Sequence, residues 1–248
     1  MNYGIEGRRA AVAAASGGLG LATARALADE GVTVAICSRS RERIDVAAAA
    51  IGPRAVPLVA DVSTEAGAST FVRDARDALG GIDILVCNGG GPPPGTFTST
   101  PPDAYRTAME LNCLSAIAMC GEAVPAMREQ RWGRVLAITS VGVRQPIPTL
   151  ILSNVARAGL TAFLKTLARE VAADGVTVNS LQPGLHDTDR IRQLHGGTID
   201  AMQAGIPAGV IGRPDDFGRI AAFVCSEAAS FLTGAAIPID GGAHAGLF

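Results

Sequence analysis

The sequence predicts one α/β domain, a doubly wound parallel sheet of about seven strands with helices on both faces. Three observations carry this reading. Short β-branched runs alternate with longer segments of helical period along all 248 residues, the pattern of βα units whose strands run parallel. The composition, 48% hydrophobic and 18% charged with 30 glycines, suits a sheet buried on both faces and joined by tight turns. A chain of this length can bury most of its apolar surface in one core, and no repeat, heptad or low-complexity linker marks a second domain.

In order, strands are expected at 10–13, 33–36, 55–59, 84–87, 135–139, 177–181 and 236–239. The segments between them predict helices at 19–30, 41–51, 64–79, 103–130, 153–172 and 215–226. Thr100-Pro101-Pro102-Asp103 reads as an N-cap, a first-turn proline and an acidic residue, so a helix should start there. In the helix from Ser153, Leu160, Phe163, Leu164, Leu167 and Val171 recur every three or four residues on a buried face, leaving Asn154, Arg157 and Lys165 on the opposite edge. Residues 185–212 form a long excursion after a strand end, a place where substrate loops and lids occur.

A net charge of −2 with mixed signs offers no broad basic surface, so nucleic acid and anionic membrane are not expected partners. No apolar run reaches about 18 residues, and the charged N-terminal stretch is unlike a signal peptide. Five cysteines without CxxC pairing read as small core residues in a reducing compartment, and a cytoplasmic location is the expectation.

The first strand runs into Ala14-Ala15-Ser16-Gly17-Gly18-Leu19-Gly20 and a helix follows at once, so backbone amides and a helix dipole converge where a pyrophosphate would sit. Further motifs follow in order: Asp61-Val62 after the third strand, Cys87-Asn88-Gly89-Gly90 after the fourth, Asn112, Thr139-Ser140, Pro183-Gly184 through Thr188, Thr233-Gly234 and Asp240-Gly241-Gly242. In this order and spacing they resemble the short-chain dehydrogenase/reductase family along the whole chain. The resemblance implies a Rossmann-type fold in which Ser16, Gly18, Leu19, Gly20, Asp61, Val62, Asn88, Gly89, Pro183, Gly184 and Thr188 line a dinucleotide. It further implies a homotetramer or homodimer and a small-molecule substrate.

Departures from the family pattern fall in both sites. Ala14 stands where the first glycine of the turn belongs, so its methyl group would crowd a glycine-only conformation. Ser38 and Arg39 replace the acidic residue that grips the ribose in NAD-preferring members, so NADP(H) is favoured over NAD(H). Arg41 and Arg43 read more simply as solvated helix charges. Counting from Ser140, the positions of the family Tyr and Lys hold Ser153 and Arg157. The sequence in this respect resembles a divergent subgroup, akin to β-ketoacyl-carrier-protein reductases, that has GGPPPG after the fourth strand and lacks the Tyr-x-x-x-Lys motif.

The expected catalytic set is therefore Asn112, Ser140, Ser153, Arg157 and His186. A serine is a far weaker acid than a tyrosine, and a guanidinium ordinarily stays charged above about pH 12. His186 is the best remaining acid or base by type, although a lone loop histidine is more often simply exposed. Arg144 is read either as a substrate anion contact or as an ordinary salt bridge, and Asp187 and Asp189 as helix-start residues. Met202, Ile206, Val210 and Ile211 serve equally as pocket lining or as core. His186, His195 and His244 lack metal spacing, and no GxSxG elbow surrounds either serine, so metal and hydrolase chemistry are not expected. Three functions stay open: a carbonyl–alcohol oxidoreductase with an atypical proton relay, a non-redox isomerase or lyase, and a silent nucleotide- or partner-binding protein.

Overall fold

A computed structural model describes residues 3–194 and 202–247. Seven strands, β1 (Arg9–Val12), β2 (Thr33–Ser38), β3 (Ala55–Val59), β4 (Ile84–Cys87), β5 (Gly133–Ile138), β6 (Val176–Pro183) and β7 (Ala236–Ile239), form one sheet in the order β3-β2-β1-β4-β5-β6-β7. Every pairing is parallel. The chain reverses its direction of winding between β1 and β4, so the carboxyl ends of these two strands open the crevice in which ligands of such sheets bind.

Alternation along the strands feeds two cores. Ala11 and Ala13 face the layer of α3 (Glu65–Leu79), α5 (Ser115–Glu129) and α6 (Ile151–Val171), whereas Ala10 and Val12 face α1 (Gly18–Asp29), α2 (Arg41–Ile51) and α8 (Pro214–Val224). All five cysteines are buried and unpaired. Capping sets several boundaries: Ser40 Oγ accepts from Arg43 N at 3.2 Å at the head of α2, and Thr64 Oγ1 accepts from Gly67 N at 3.1 Å at the head of α3.

The structure differs from the sequence reading at four points. The helix expected at 103–130 is interrupted: α4 (Pro102–Met109) passes through a π turn (Glu110–Leu114) into α5. Hydrophobic periodicity does not register one extra residue in a turn. Pro101, not Thr100, is the N-cap of α4, and Thr100 Oγ1 is buried without a partner. A short helix, α7 (Asp189–Leu194), opens the long excursion after β6. Arg157, expected on the edge of α6 opposite the apolar face, is itself buried, because its guanidinium reaches the end of β5.

At the amino end of the sheet, Asp83 ties β4 to β1. Its two carboxylate oxygens accept from Arg9 N, Nε and Nη2, each at 2.9 Å. Burial alone would raise the Asp83 carboxyl, but the Arg9 hydrogen bonds and charge outweigh it and hold it below the usual range. A depressed folded-state pKa contributes stability above the unfolded value, and that contribution disappears as pH falls through the folded value. Asp83→Asn should cost about 2 kcal/mol at pH 7, and the difference from wild type should shrink below about pH 4. Urea unfolding of both proteins across that range checks it; a difference independent of pH would contradict it.

Candidate active site

The turn from β1 into α1 is held from both neighbouring strands. Ala13 N donates to Val86 O at 3.1 Å and Ala15 N to Cys37 O at 3.0 Å. Asn88 Nδ2 reaches across from the end of β4 to the carbonyls of Ala13 and Ala14, at 3.2 and 3.1 Å. Gly20 is required by this closeness, since a β-carbon there would stand 2.6 Å from Asn88 Nδ2 and 2.8 Å from Ala14 O. Ala14 itself adopts φ 48°, in the left-handed region where a β-carbon is strained.

α1 then begins with Gly17 as its N-cap, with no side chain capping it and no acidic residue in its first turn. Its first amides are thus open to an external acceptor at the positive end of the helix dipole. Ser16 lies half-buried in the turn, and Leu19 packs partly on the α1-side core. Gly18 sits against Thr188, whose Cγ2 would be 3.6 Å from a β-carbon at Gly18. Pro183 closes β6, and Gly184 N donates to Ile239 O at 2.9 Å, which turns the chain back toward Thr188. An uncapped glycine turn of this shape fits a dinucleotide pyrophosphate.

The β2 side of the crevice carries Arg39 and Arg43, neither of them in an ion pair among the described residues. Ser38 Oγ accepts from Ser40 N at 3.3 Å, and Arg39 is exposed, close enough to Asp61 to help keep its carboxyl low. The hydrogen bonding of Ser63 to Asp61 is the larger cause of that depression. Val62 is buried beside it. Arg41 is engaged with Asp45 at 3.4 Å, as a solvated helix charge would be. Arg43 is not: its Nη2 lies 3.7 Å from the place of a β-carbon on Gly17, directly over the phosphate turn. The sequence signal for Arg43 was present, since it stands in the first turn of α2 four residues after Arg39, but periodicity alone does not say which face of α2 looks at the crevice.

At the carboxyl ends of β4 and β5 the polar groups assemble. Asn112 is carried inward by the π turn and is 4% exposed. Its Nδ2 donates to Gly90 O at 2.8 Å and its Oδ1 is buried without a partner among the described residues. Gly89 lies in ordinary contact with Asn112 Nδ2, at 3.5 Å from the place of its β-carbon. Ser140 Oγ accepts from Gly142 N at 3.0 Å, which leaves its O–H to donate elsewhere. Ser153 is buried near the start of α6 with its hydroxyl unpaired among the described residues, one turn before Arg157. Arg157 is 8% exposed, and its Nη1 donates to Ile138 O at 2.7 Å. Burial, and then the positive charge of Arg190, push it down to about 10, so it stays cationic at neutral pH.

Two of the residues singled out in the sequence are engaged in packing and bracing. His186 is 4% exposed, stands edge-on to Phe217 with ring centroids 5.2 Å apart, and has Nδ1 at 3.2 Å from Gly184 O. Burial lowers its pKa, which favours the neutral ring in its packing between the β6 loop and α8. Arg144 donates to Gln182 Oε1 at 2.7 Å and Ala236 O at 2.6 Å, which makes it a brace across β6 and β7. Asp187 pairs with Arg192 at 2.8 Å. Of the tyrosines, Tyr3 packs edge-on to Phe223 and Tyr105 packs in the seam of α4 and α6. Ile206 and Ile211 are buried, Met202 is half-buried and Val210 is exposed. His195 and the lid positions 195–201 lie outside the described residues.

A family profile described as Enoyl-(Acyl carrier protein) reductase matches residues 13–244. Dehydrogenase/reductase SDR family member 4 of Sus scrofa is 32% identical over 244 residues, 96% of this chain and 88% of that protein. The chain belongs to the short-chain dehydrogenase/reductase family. Another relative, the 3-oxoacyl-[acyl-carrier-protein] reductase FabG of Vibrio cholerae, is 30% identical over 97% of this chain and 98% of its own length. Among solved structures, L-sorbose reductase from Gluconobacter frateurii, complexed with NADPH and L-sorbose, superposes with a TM-score of 0.93 at 30% identity and full coverage of both chains. No helix among the described residues is long and apolar enough to cross a membrane.

The strain at Ala14 gives a direct test of the phosphate turn. Ala14→Gly removes the left-handed penalty and partly offsets it through a looser unfolded chain, for a net gain of about 0.5–1 kcal/mol. Thermal unfolding should show a midpoint raised by a few degrees; an unchanged or lowered midpoint would contradict the strained conformation.

Proposed function

We propose that this protein is an NADP(H)-dependent oxidoreductase that interconverts a carbonyl and an alcohol on a small-molecule substrate through an atypical proton relay. The observation that carries the reading is the pair Arg39 and Arg43, both without ion-pair partners among the described residues, beside an uncapped glycine turn. A 2′-phosphate supplies the charge those arginines lack, whereas a carboxylate in place of Ser38 would repel it. The NADPH-bound state of the sorbose reductase, and the NADPH-dependent reductase YwfH of bacilysin biosynthesis (TM-score 0.92, 26% identical), support the same choice.

When bound, the nicotinamide supplies or accepts a hydride. The chain's own residues have the remaining work. The hydroxyls of Ser140 and Ser153 polarise the substrate oxygen, and the cationic Arg157 offsets the negative charge that develops there. Asn112 spends one of its two N–H groups on Gly90 O and so holds the loop after β4 beside the site, while a water supplies the proton. In this reading Ser153 and Arg157 replace the family Tyr and Lys. The single lysine, Lys165, donates to Gly234 O two turns further along α6 and does not substitute for them.

The same substitutions favour a second reading, a non-redox or silent nucleotide-binding homologue, because neither Ser153 nor Arg157 is an ordinary acid at pH 7. Assembly as a homotetramer or homodimer through α4–α5, α6 and β7 belongs to the proposal, supported by the open edge strand β7 and the exposed Val155 on α6.

Titrating the protein with NADPH and NADH while following reduced-nicotinamide fluorescence tests the assignment. NADPH should bind at least tenfold more tightly, and Arg39→Ala and Arg43→Ala should each weaken NADPH about tenfold with little effect on NADH. Equal affinities for both cofactors, unaffected by either substitution, would remove the basis for the NADP(H) assignment.

A further inference from the structure

We infer that Arg190 is a positioning residue that acts as a catch: it fastens the segment after β6 across the nucleotide crevice by gripping the loop after β4, and a bound dinucleotide leaves only when that grip opens. The inference rests on the nucleotide-binding reading above and adds how the cofactor is retained. Between the end of β6 and Thr188 the chain moves three places along the sheet, to the turn after β1, where Thr188 meets Gly18 on one wall of the crevice. Two residues later, on α7, Arg190 Nη2 donates to Pro92 O at 2.7 Å on the other wall. Contacts so close in sequence to both walls make residues 188–190 a strap from the β1 side to the β4 side.

The loop that receives the catch, Gly90-Gly91-Pro92-Pro93-Pro94-Gly95, is anchored at both ends. Gly90 O accepts from Asn112 Nδ2 at 2.8 Å, Gly95 N donates to Thr149 O at 2.7 Å, and Gly95 O accepts from Ile151 N at 3.3 Å. Between these anchors three prolines hold φ at about −65°. Gly91 makes room for the catch. A β-carbon there would have the Arg190 guanidinium as its three nearest atoms, Nη2 at 2.9 Å, Cζ at 3.2 Å and Nε at 3.3 Å. The φ of Gly91 is not left-handed, so the closeness of Arg190, and not the backbone conformation, calls for glycine.

The strap has the opposite character. α7 is six residues long, Asp189 and Arg190 are exposed, and the Asp187–Arg192 ion pair lies within the segment and fastens it to neither wall. A helix this short depends on tertiary contacts for its stability. One charge-assisted hydrogen bond to a fixed carbonyl therefore weighs heavily in whether the segment is down or raised. The open amides of α1 begin at Gly18, against which Thr188 rests, so a dinucleotide held there is enclosed on that side until the strap lifts.

Stopped-flow release of NADPH from the whole protein, together with hydrogen exchange of the α7 amides in protein without NADPH, tests the catch. Arg190→Met and Gly91→Val should each speed release about fivefold and speed α7 exchange by a similar factor. Gly91→Val puts a side chain where the guanidinium lies and leaves the arginine's charge in place. The double variant should release NADPH no faster than the faster single variant, because both substitutions break one contact. Arg190→Lys, which keeps a cationic donor, should restore release to within about twofold of wild type. Arg190 is exposed, so α7 exchange in Arg190→Met keeps the test decisive if Gly91→Val does not fold. Release speeded by Arg190→Met but untouched by Gly91→Val would make Arg190 a direct ligand of the cofactor and overturn the catch. Effects that multiply in the double variant, or α7 exchange unchanged in Arg190→Met, would overturn it as well. Failure of NADPH to bind would instead defeat the nucleotide reading, and α7 exchange would still judge the contact between Arg190 and the loop.

Discussion

Asn88 joins the two halves of the crevice. One side-chain amide at the end of β4 donates to two successive carbonyls at the end of β1, across the point where the winding of the sheet reverses. Strand pairing brings β1 and β4 together, but pairing ends at Val12 and Val86, and beyond it the two loops would otherwise be free to separate. The Asn88 bonds carry the alignment onward into the phosphate turn, and the absence of a side chain at Gly20 lets them form. The approach of Thr188 to Gly18 and the position of Gly89 beside Asn112 flank the same crevice.

A turn so firmly held also accounts for Ala14. The hydrogen bonds on either side, from Ala13 to Val86 and from Ala15 to Cys37, fix the backbone between them in the left-handed region whatever residue occupies it. The methyl group bears the strain because the surroundings determine the conformation more strongly than alanine's preference does. This is a small penalty against a domain's total stability, so it is tolerated without a change of fold.

Much of the architecture was legible because parallel strands are short apolar runs, in the buried centre (84–87) and at the half-buried edges (55–59 and 236–239) alike; all three agree with the structure at both ends, as does the helix 41–51. What escaped the sequence depended on tertiary direction. The π turn at Asn112 preserves the hydrophobic pattern while adding a residue, so no period reveals it. Periodicity put Arg157 on the edge of α6 opposite its buried face, and only the reach of its side chain to Ile138 shows how it is buried. His186 read as the natural acid from its type and loop, yet Phe217 and the bend at Gly184 fix it inside the packing. The arginines after β2 divided in the same way: Arg41 meets Asp45, whereas Arg43 turns to Gly17.

The central claim is that hydride transfer persists here with two serines, a water and a buried arginine in place of an acidic side chain. Incubating the protein with NADPH deuterated at C4 and a broad panel of small carbonyl compounds, then examining the alcohols by mass spectrometry, tests it most directly. Deuterium carried to the former carbonyl carbon of one product, abolished by Ser140→Ala, is the predicted result. Saturable NADPH binding with no label in any product would contradict it and leave the protein a nucleotide-binding scaffold.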